Sequence, residues 1–356
     1  MRRRIALGAG AVIALGAATG AYMRWGRGGG AAPQDPGRGA GRAVATAIRT
    51  AAAAVPVVPH PCARLALAGA AARTFQAGER AYTIDGDALR ATPVRGDRQL
   101  VLGVVADARG NRDDTTANVA AARDAFAKAG VELVLVTGGM AESADDLAAV
   151  VRPLADGTWP VVLVAGDRER ADATAGAART LGDTVVDGAA VRFVQADGAV
   201  VATLPGVAIG WPLVPGTDGC AREAGDDAAL VAALQTRPGV RVLASWTPPR
   251  QSGAGASDLT RDGVHVGDRV LADALATGGV ALVVHGMIDD AAVTGPTRGS
   301  LPVDAARPRS LAAGAIDAVP VERSGKPPIT GAALIVRVGA RRITWQRLRL
   351  QGARAR

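Results

Sequence analysis

The chain has 356 residues, 49% hydrophobic and 21% charged, enough to bury a full core in one large domain or two ordinary ones of roughly 100–250 residues. Its net charge of +8 lies at the ends: eight arginines against Asp35 put +7 in residues 1–60, seven arginines and no acid put +7 in residues 337–356, and the body between is left at −6. A groove for a phosphate backbone is therefore not indicated and no nucleic-acid partner is expected. Lys128 and Lys326 are the only lysines, so the abundance of arginine reads as coding bias before it reads as chemistry.

In chain order, "MRRR" precedes an uncharged stretch, residues 5–23. At 1.5 Å per residue this spans roughly 28 Å, close to the ~30 Å hydrocarbon core of a bilayer. We read residues 1–25 as a signal anchor holding the protein at the inner membrane of a bacterial cell envelope, with the body outside the cytoplasm. A cleaved signal peptide and a secreted body are the alternative. Residues 26–58, rich in Gly, Ala and Pro, read as a flexible linker, with His60 at its end. Cys62 and Cys220 allow at most one disulfide and define no metal motif. Residues 59–98 contain two short alternating stretches around Asp85 and Gly86, a hairpin extension.

The main body begins near Gln99. The pattern predicts a strand over 99–106, a helix over 115–130 opening on a Thr cap and ending at Gly130, and a strand over 131–139. A helix capped by Ser143, a strand over 159–167 and a helix over 169–181 follow. This βαβαβα order implies a mainly parallel sheet. Later apolar runs, "VRFVQADGAVVATLPG", "VRVLASW", "VALVVHG" and "GAALIVRVGARRITWQRLRL", have fewer helices between them and predict a second, more mixed sheet. Residues 351–356 form a basic tail.

Ligands of such sheets sit at the carboxyl ends of the strands. Five loops stand there: "DARGN" from Asp107, "GGMAE" at 138–142, "GDRE" at 166–169, "SWTPPR" at 245–250 and "HGMIDD" at 285–290. In this order they resemble the five blocks of the calcineurin-like metallophosphoesterases: Asp-x-His, Gly-Asp-x-x-Asp, Gly-Asn-His-Asp/Glu, Ser-His-x-Pro-Pro and Gly-His-x-His. "DGVHVGDRVLADAL" at 262–275 and "LAAGAIDAVPV" at 311–321 are similar to connecting stretches of that family, so the resemblance covers about residues 99–350. It implies an α/β fold: a four-layer α/β/β/α sandwich of two mixed sheets behind the anchor and tether.

The family's chemistry is mostly absent. Asp107 keeps the first carboxylate, but Arg109 stands for a His, Gly139 for the bridging Asp, Asp167 for an Asn, and Arg168, Trp246, Met287 and Asp289 for four histidines. A guanidinium has no lone pair to give a metal, and a dinuclear centre needs several donors per ion with a bridging carboxylate. No metal or other cofactor is expected, and a non-catalytic binding or structural module is the preferred reading. One alternative is a hydrolase in which Asp107, Glu142, Asp167, Glu169 and Asp289 hold a single Mg or Mn ion; another is an unrelated doubly wound α/β domain. An anionic ligand or a protein partner fits the preferred reading.

The remaining candidates read structurally. His285 is a strand-end residue and His265 a loop residue; Asp113, Asp114 and Asp290 are turn and helix-cap carboxylates. The ring of Trp246 is expected to plug the vacated cleft. Arg109 and Arg168 are expected beside Asp107, Asp167 and Asp289, either as a self-paired cluster or with an arginine fork open to phosphate or carboxylate. No Walker loop, Gly-x-Ser-x-Gly elbow, His-Glu-x-x-His or Cys-x-x-Cys motif competes.

Overall fold

The computed structural model describes residues 60–62, 65–93, 98–208, 219–253, 256–260, 262–289, 295–304, 308–323 and 326–350. The expected anchor, linker and basic tail, and Asp290, lie outside the described residues.

The elements run β1 (His60–Pro61), β2 (Ala70–Ala77), β3 (Arg80–Gly86), β4 (Ala88–Thr92), β5 (Leu100–Val105), α1 (Asp113–Ala129), β6 (Leu133–Val136), α2 (Ala144–Val151), β7 (Val161–Leu163), α3 (Ala173–Leu181) and β8 (Val185–Asp187). They continue with β9 (Phe193–Ala196), β10 (Ala199–Leu204), β11 (Cys220–Ala221), α4 (Asp226–Gln235), β12 (Val240–Ser245), α5 (Arg269–Leu275), β13 (Leu282–His285), β14 (Arg298–Pro302), β15 (Arg309–Ala312), β16 (Val321–Arg323), β17 (Lys326–Ile329), β18 (Ala332–Val338) and β19 (Arg342–Arg349). One sheet has seven strands in the order β14-β19-β18-β5-β6-β7-β8, and the other has eight, β15-β13-β12-β10-β9-β4-β3-β2. β5 to β8 are parallel, and β18 closes on β5 antiparallel. Both sheets are mixed, as expected.

Strand β5 shows how the layers form. All six of its residues are buried, and the period-2 alternation of a strand divides them between two cores. Leu100, Leu102 and Val104 enter the core between the sheets, together with Ile84, Leu89, Val201, Val242 and Val284 of the facing sheet. Val101 and Val105 turn outward onto Val119 and Phe126 of α1 and Leu147 and Val151 of α2. Gly103 shares that outer face and lets α1 approach closely: a Cβ there would stand 2.7 Å from the Phe126 ring. On the far side, Val200, Ala202, Leu243 and Val283 pack under Leu230 and Leu234 of α4 and Leu271 of α5. The result is a helix–sheet–sheet–helix stack.

Three expectations need correction. The chain does turn at Asp85 and Gly86, but β2, β3 and β4 are three strands of the eight-stranded sheet, with β4 parallel to β9. Phe75, Tyr82, Ile84 and Leu89 belong to the inter-sheet core, so this segment is part of the body and no extension; its apolar side chains need the second sheet as a partner. His60 pairs with Cys220 in β1–β11 and so belongs to the body as well. Helix α1 starts two residues early, at Asp113, without a side-chain cap. Ser143 caps α2 as expected, accepting from the Asp146 N–H.

Candidate functional site

The loops after β5, β6, β7, β12 and β13 meet. Beyond their strands the first two stay hydrogen-bonded: Asp107 N–H to Gly138 O at 2.9 Å, Arg109 N–H to Gly139 O at 3.0 Å and Gly110 N–H to Met140 O at 2.7 Å. This path puts Asp107 and Arg109 at φ 55° and Met287 at φ 64°. A left-handed backbone is uncommon for residues with a Cβ, costs about 1–3 kcal/mol each, and is found chiefly where a site demands it.

Glu169 holds the loops together. Its buried carboxylate accepts from the N–H groups of Gly139, Met140, Ala141 and Gly166. Burial pushes its pKa up, opposed by those donors. The carboxylate is thus a clamp for backbone, which removes it from the expected metal-ligand set.

Trp246 fills the centre. Its indole is 5% exposed, and a Cβ added at Gly138, Gly139, Gly166 or Gly286 would come within 2.8 to 3.1 Å of it. Four glycines therefore shape a slot for one ring. Trp246 Nε1–H donates to Asp107 Oδ1 at 3.1 Å, and Met287 N–H donates to Asp107 Oδ2 at 2.8 Å. The ring fills the slot as expected, and together with the Met287 N–H it engages both oxygens of Asp107.

Arg109 closes the rim, donating to Asp289 and, at 3.3 Å, to Asp317. Burial works against its charge, yet Asp289, Asp107 and Asp317 outweigh it and hold the guanidinium above its usual value. Burial and the neighbouring Asp289 push Asp107 up to about 8, against Arg109 and the Trp246 bond; burial and Glu169 push Asp167 up to about 7.

Arg168 departs from expectation. It pairs with Glu142 at 3.7 Å on a partly exposed rim while its charge acts on Asp167, and the inner pairs are made by Arg109, with Arg112 3.9 Å from Asp317. Sequence reasoning missed Asp317, 208 residues from Arg109; the only hint was the "AIDAV" stretch inside a family-like segment. His285 is fully buried: its Nδ1–H donates to Gly286 O at 2.7 Å, and Nε2 meets Ser257 Oγ at 3.2 Å. Burial pushes its pKa down to about 4, so it is a neutral structural residue. His265 bonds Asp258 at 2.9 Å.

Cys62 and Cys220 are joined, Cα–Cα 5.1 Å. Gly206, at φ +83°, admits the bridge, since a Cβ there would lie 2.0 Å from Cys62 Sγ. Cys220 N–H donates to Glu169 O at 3.3 Å, and Ala221 packs with Val207 on Trp246. The disulfide thus fastens a strip of chain over the plugged slot.

These residues do not fit a dinuclear metal centre. Each oxygen of Asp107 already accepts from an N–H, Arg109 and Arg168 cannot ligate, and a Cβ at Gly139 would sit 2.0 Å from Asp107 Oδ1, leaving no room for a bridging carboxylate. Among the described residues no group of three or more His, Cys, Asp or Glu is arranged to hold a metal ion.

No family model and no curated protein matches the chain. Among solved structures, one crystal structure superposes with a TM-score of 0.52 at 10% identity, over 71% of this chain and 100% of that one. GAP50, the anchor in the inner membrane complex of Plasmodium, scores 0.45 at 13% identity over 73% of this chain and 87% of its own. A dimetal phosphatase from Danio rerio scores 0.43 at 11% over 72% and 100%. At such identities the likeness is one of fold. The two stacked mixed sheets with helices outside are the four-layer sandwich that the loop order implied.

Proposed function

We propose that this protein is a membrane-tethered module of metallophosphoesterase-like fold that acts by binding or scaffolding and not by hydrolysis. The observation that carries the reading is Trp246, seated in its glycine slot and bonded to Asp107, the one carboxylate that matches the loop pattern. A hydrolase using one Mg or Mn ion on Asp107, Asp167 and Asp289 is disfavoured, because Trp246 and Met287 take the first carboxylate and Arg109 takes the last. Anchoring through residues 5–23, with the body in the cell envelope, is supported by three arginines ahead of an uncharged stretch.

The test uses the purified full chain, incubated with Mn, Fe or Zn, desalted, and assayed for metal content and for aryl phosphomonoester and phosphodiester hydrolysis. Metal well below one ion per chain and hydrolysis at background are expected. Two ions per chain, with turnover abolished by Asp107→Asn, would overturn the reading. A tag placed after residue 60 should be protease-accessible in spheroplasts; protection alongside a cytosolic control would reverse the orientation.

A further inference from the structure

Strand β19 presents Ile343, Trp345 and Arg347 on one face, opposite Val338, Val336 and Leu334 of β18. Those three β18 residues and Ile343 belong to the core between the sheets, so Arg347 is directed inward. It is 7% exposed. One of its terminal nitrogens donates to Pro296 O at 3.3 Å, while its Nε is buried without an acceptor. Trp345 Nε1, two residues earlier on the same face, is also buried without an acceptor; such neighbours stand about 7 Å apart. The indole lies across Gly299 of β14, where a Cβ would come within 1.9 Å of the ring.

Of the other buried arginines, Arg192 donates to Thr203 O at 2.9 Å and feels the charges of Asp226 and Asp187, and two are paired with carboxylates. Arg80 meets Asp197 at 2.5 Å, and Arg222 meets Asp268 and, at 3.2 Å, Asp227. Arg347 forms no ion pair among the described residues. Burial and the like charge of Arg349 push its guanidinium down to about 10. His285 is near enough to feel it but is neutral and cannot serve as a counter-ion. An isolated buried cation costs several kcal/mol, and a guanidinium is shaped to recover that on a planar or tetrahedral oxyanion.

We propose that Arg347 and Trp345 form an oxyanion subsite between the margins of the two sheets, in which one phosphate or carboxylate accepts from Arg347 Nε and Trp345 Nε1. The sequence alone hides it, since Arg347 is one of several arginines in a basic terminal segment.

The experiment follows thermal unfolding of the purified full chain titrated with sodium phosphate and, separately, with sodium acetate, chloride holding the ionic strength constant. A saturable rise in Tm with phosphate and none with acetate assigns a phosphate ligand; the reverse assigns a carboxylate. Trp345→Phe, which keeps the ring and removes the donor, should weaken half-saturation about tenfold, the value of one hydrogen bond to a charged group. Arg347→Met should abolish saturation. The proposal is overturned if neither anion gives a saturable rise in the native chain. It is equally overturned if Trp345→Phe and a folded Arg347→Met respond as the native chain does.

Discussion

Arg109 at the rim of the cleft and Arg347 inside the sheet margin are both drawn partly or wholly out of solvent, and the two places are resolved differently. At the cleft, Arg109 reaches Asp289 and Asp317, and Asp107 is covered by Trp246 and the Met287 N–H. Every strong donor named there has an acceptor inside the fold. At the sheet margin, Arg347 has one carbonyl and a like-charged neighbour. A region whose charges are paired internally differs from one whose cation is left without a counter-ion among the described residues, and the ion pairs distinguish them where burial alone does not.

The comparison can be broken most severely at the plug. Trp246→Ala should cost about 3–5 kcal/mol, the usual range for truncating a buried Trp, measured as a drop in the denaturant midpoint at unchanged m-value. A loss below about 1 kcal/mol would mean that the slot collapses freely and that Trp246 does not hold the cleft.

Replacing each arginine by methionine then sets the two regions directly against each other. Arg109→Met strands Asp289 and Asp317 and should destabilise by about 1–3 kcal/mol, less than breaking a wholly buried pair because the Arg109 side chain is 34% exposed. Arg347→Met strands no carboxylate among the described residues and, without added anion, should be neutral or stabilising by up to about 2 kcal/mol. Equal losses in urea unfolding would erase the distinction.

The smallest effect is one of pH. Asp107 and Asp167, raised to about 8 and about 7, bind protons more tightly folded than unfolded. Their contribution is complete at low pH and is lost as pH rises through those values. His285, lowered to about 4 from 6.5, has the opposite sign and acts only below about 6.5. Between pH 6.5 and about 9 the urea midpoint should therefore fall, and Asp107→Asn should flatten part of the slope. A flat native profile would show that the carboxylates of the cleft are ionised in both states.

What could be read in the chain alone was whatever depends on neighbours in sequence. β5 announces itself as an unbroken apolar run, Ser143 caps α2 through a bond three residues away, and the five loops keep their order because each follows its own strand. That Arg109, Gly139 and Trp246 offer no side-chain lone pair to a metal was legible, since residue type alone decides it. Partners were not legible. Asp317 joins Arg109 from 208 residues away, Arg168 turns to Glu142, and Cys62 closes on Cys220 across a separation of 158. Glu169, one of the carboxylates expected as a metal ligand in the hydrolase alternative, instead accepts from four backbone N–H groups brought to it by two loops. The strands β2 to β4 read as an extension until the second sheet supplied the apolar surface their side chains need. Tertiary structure decided these because the free energy of a buried charge or an apolar face depends on what stands against it in space, which local sequence pattern does not encode.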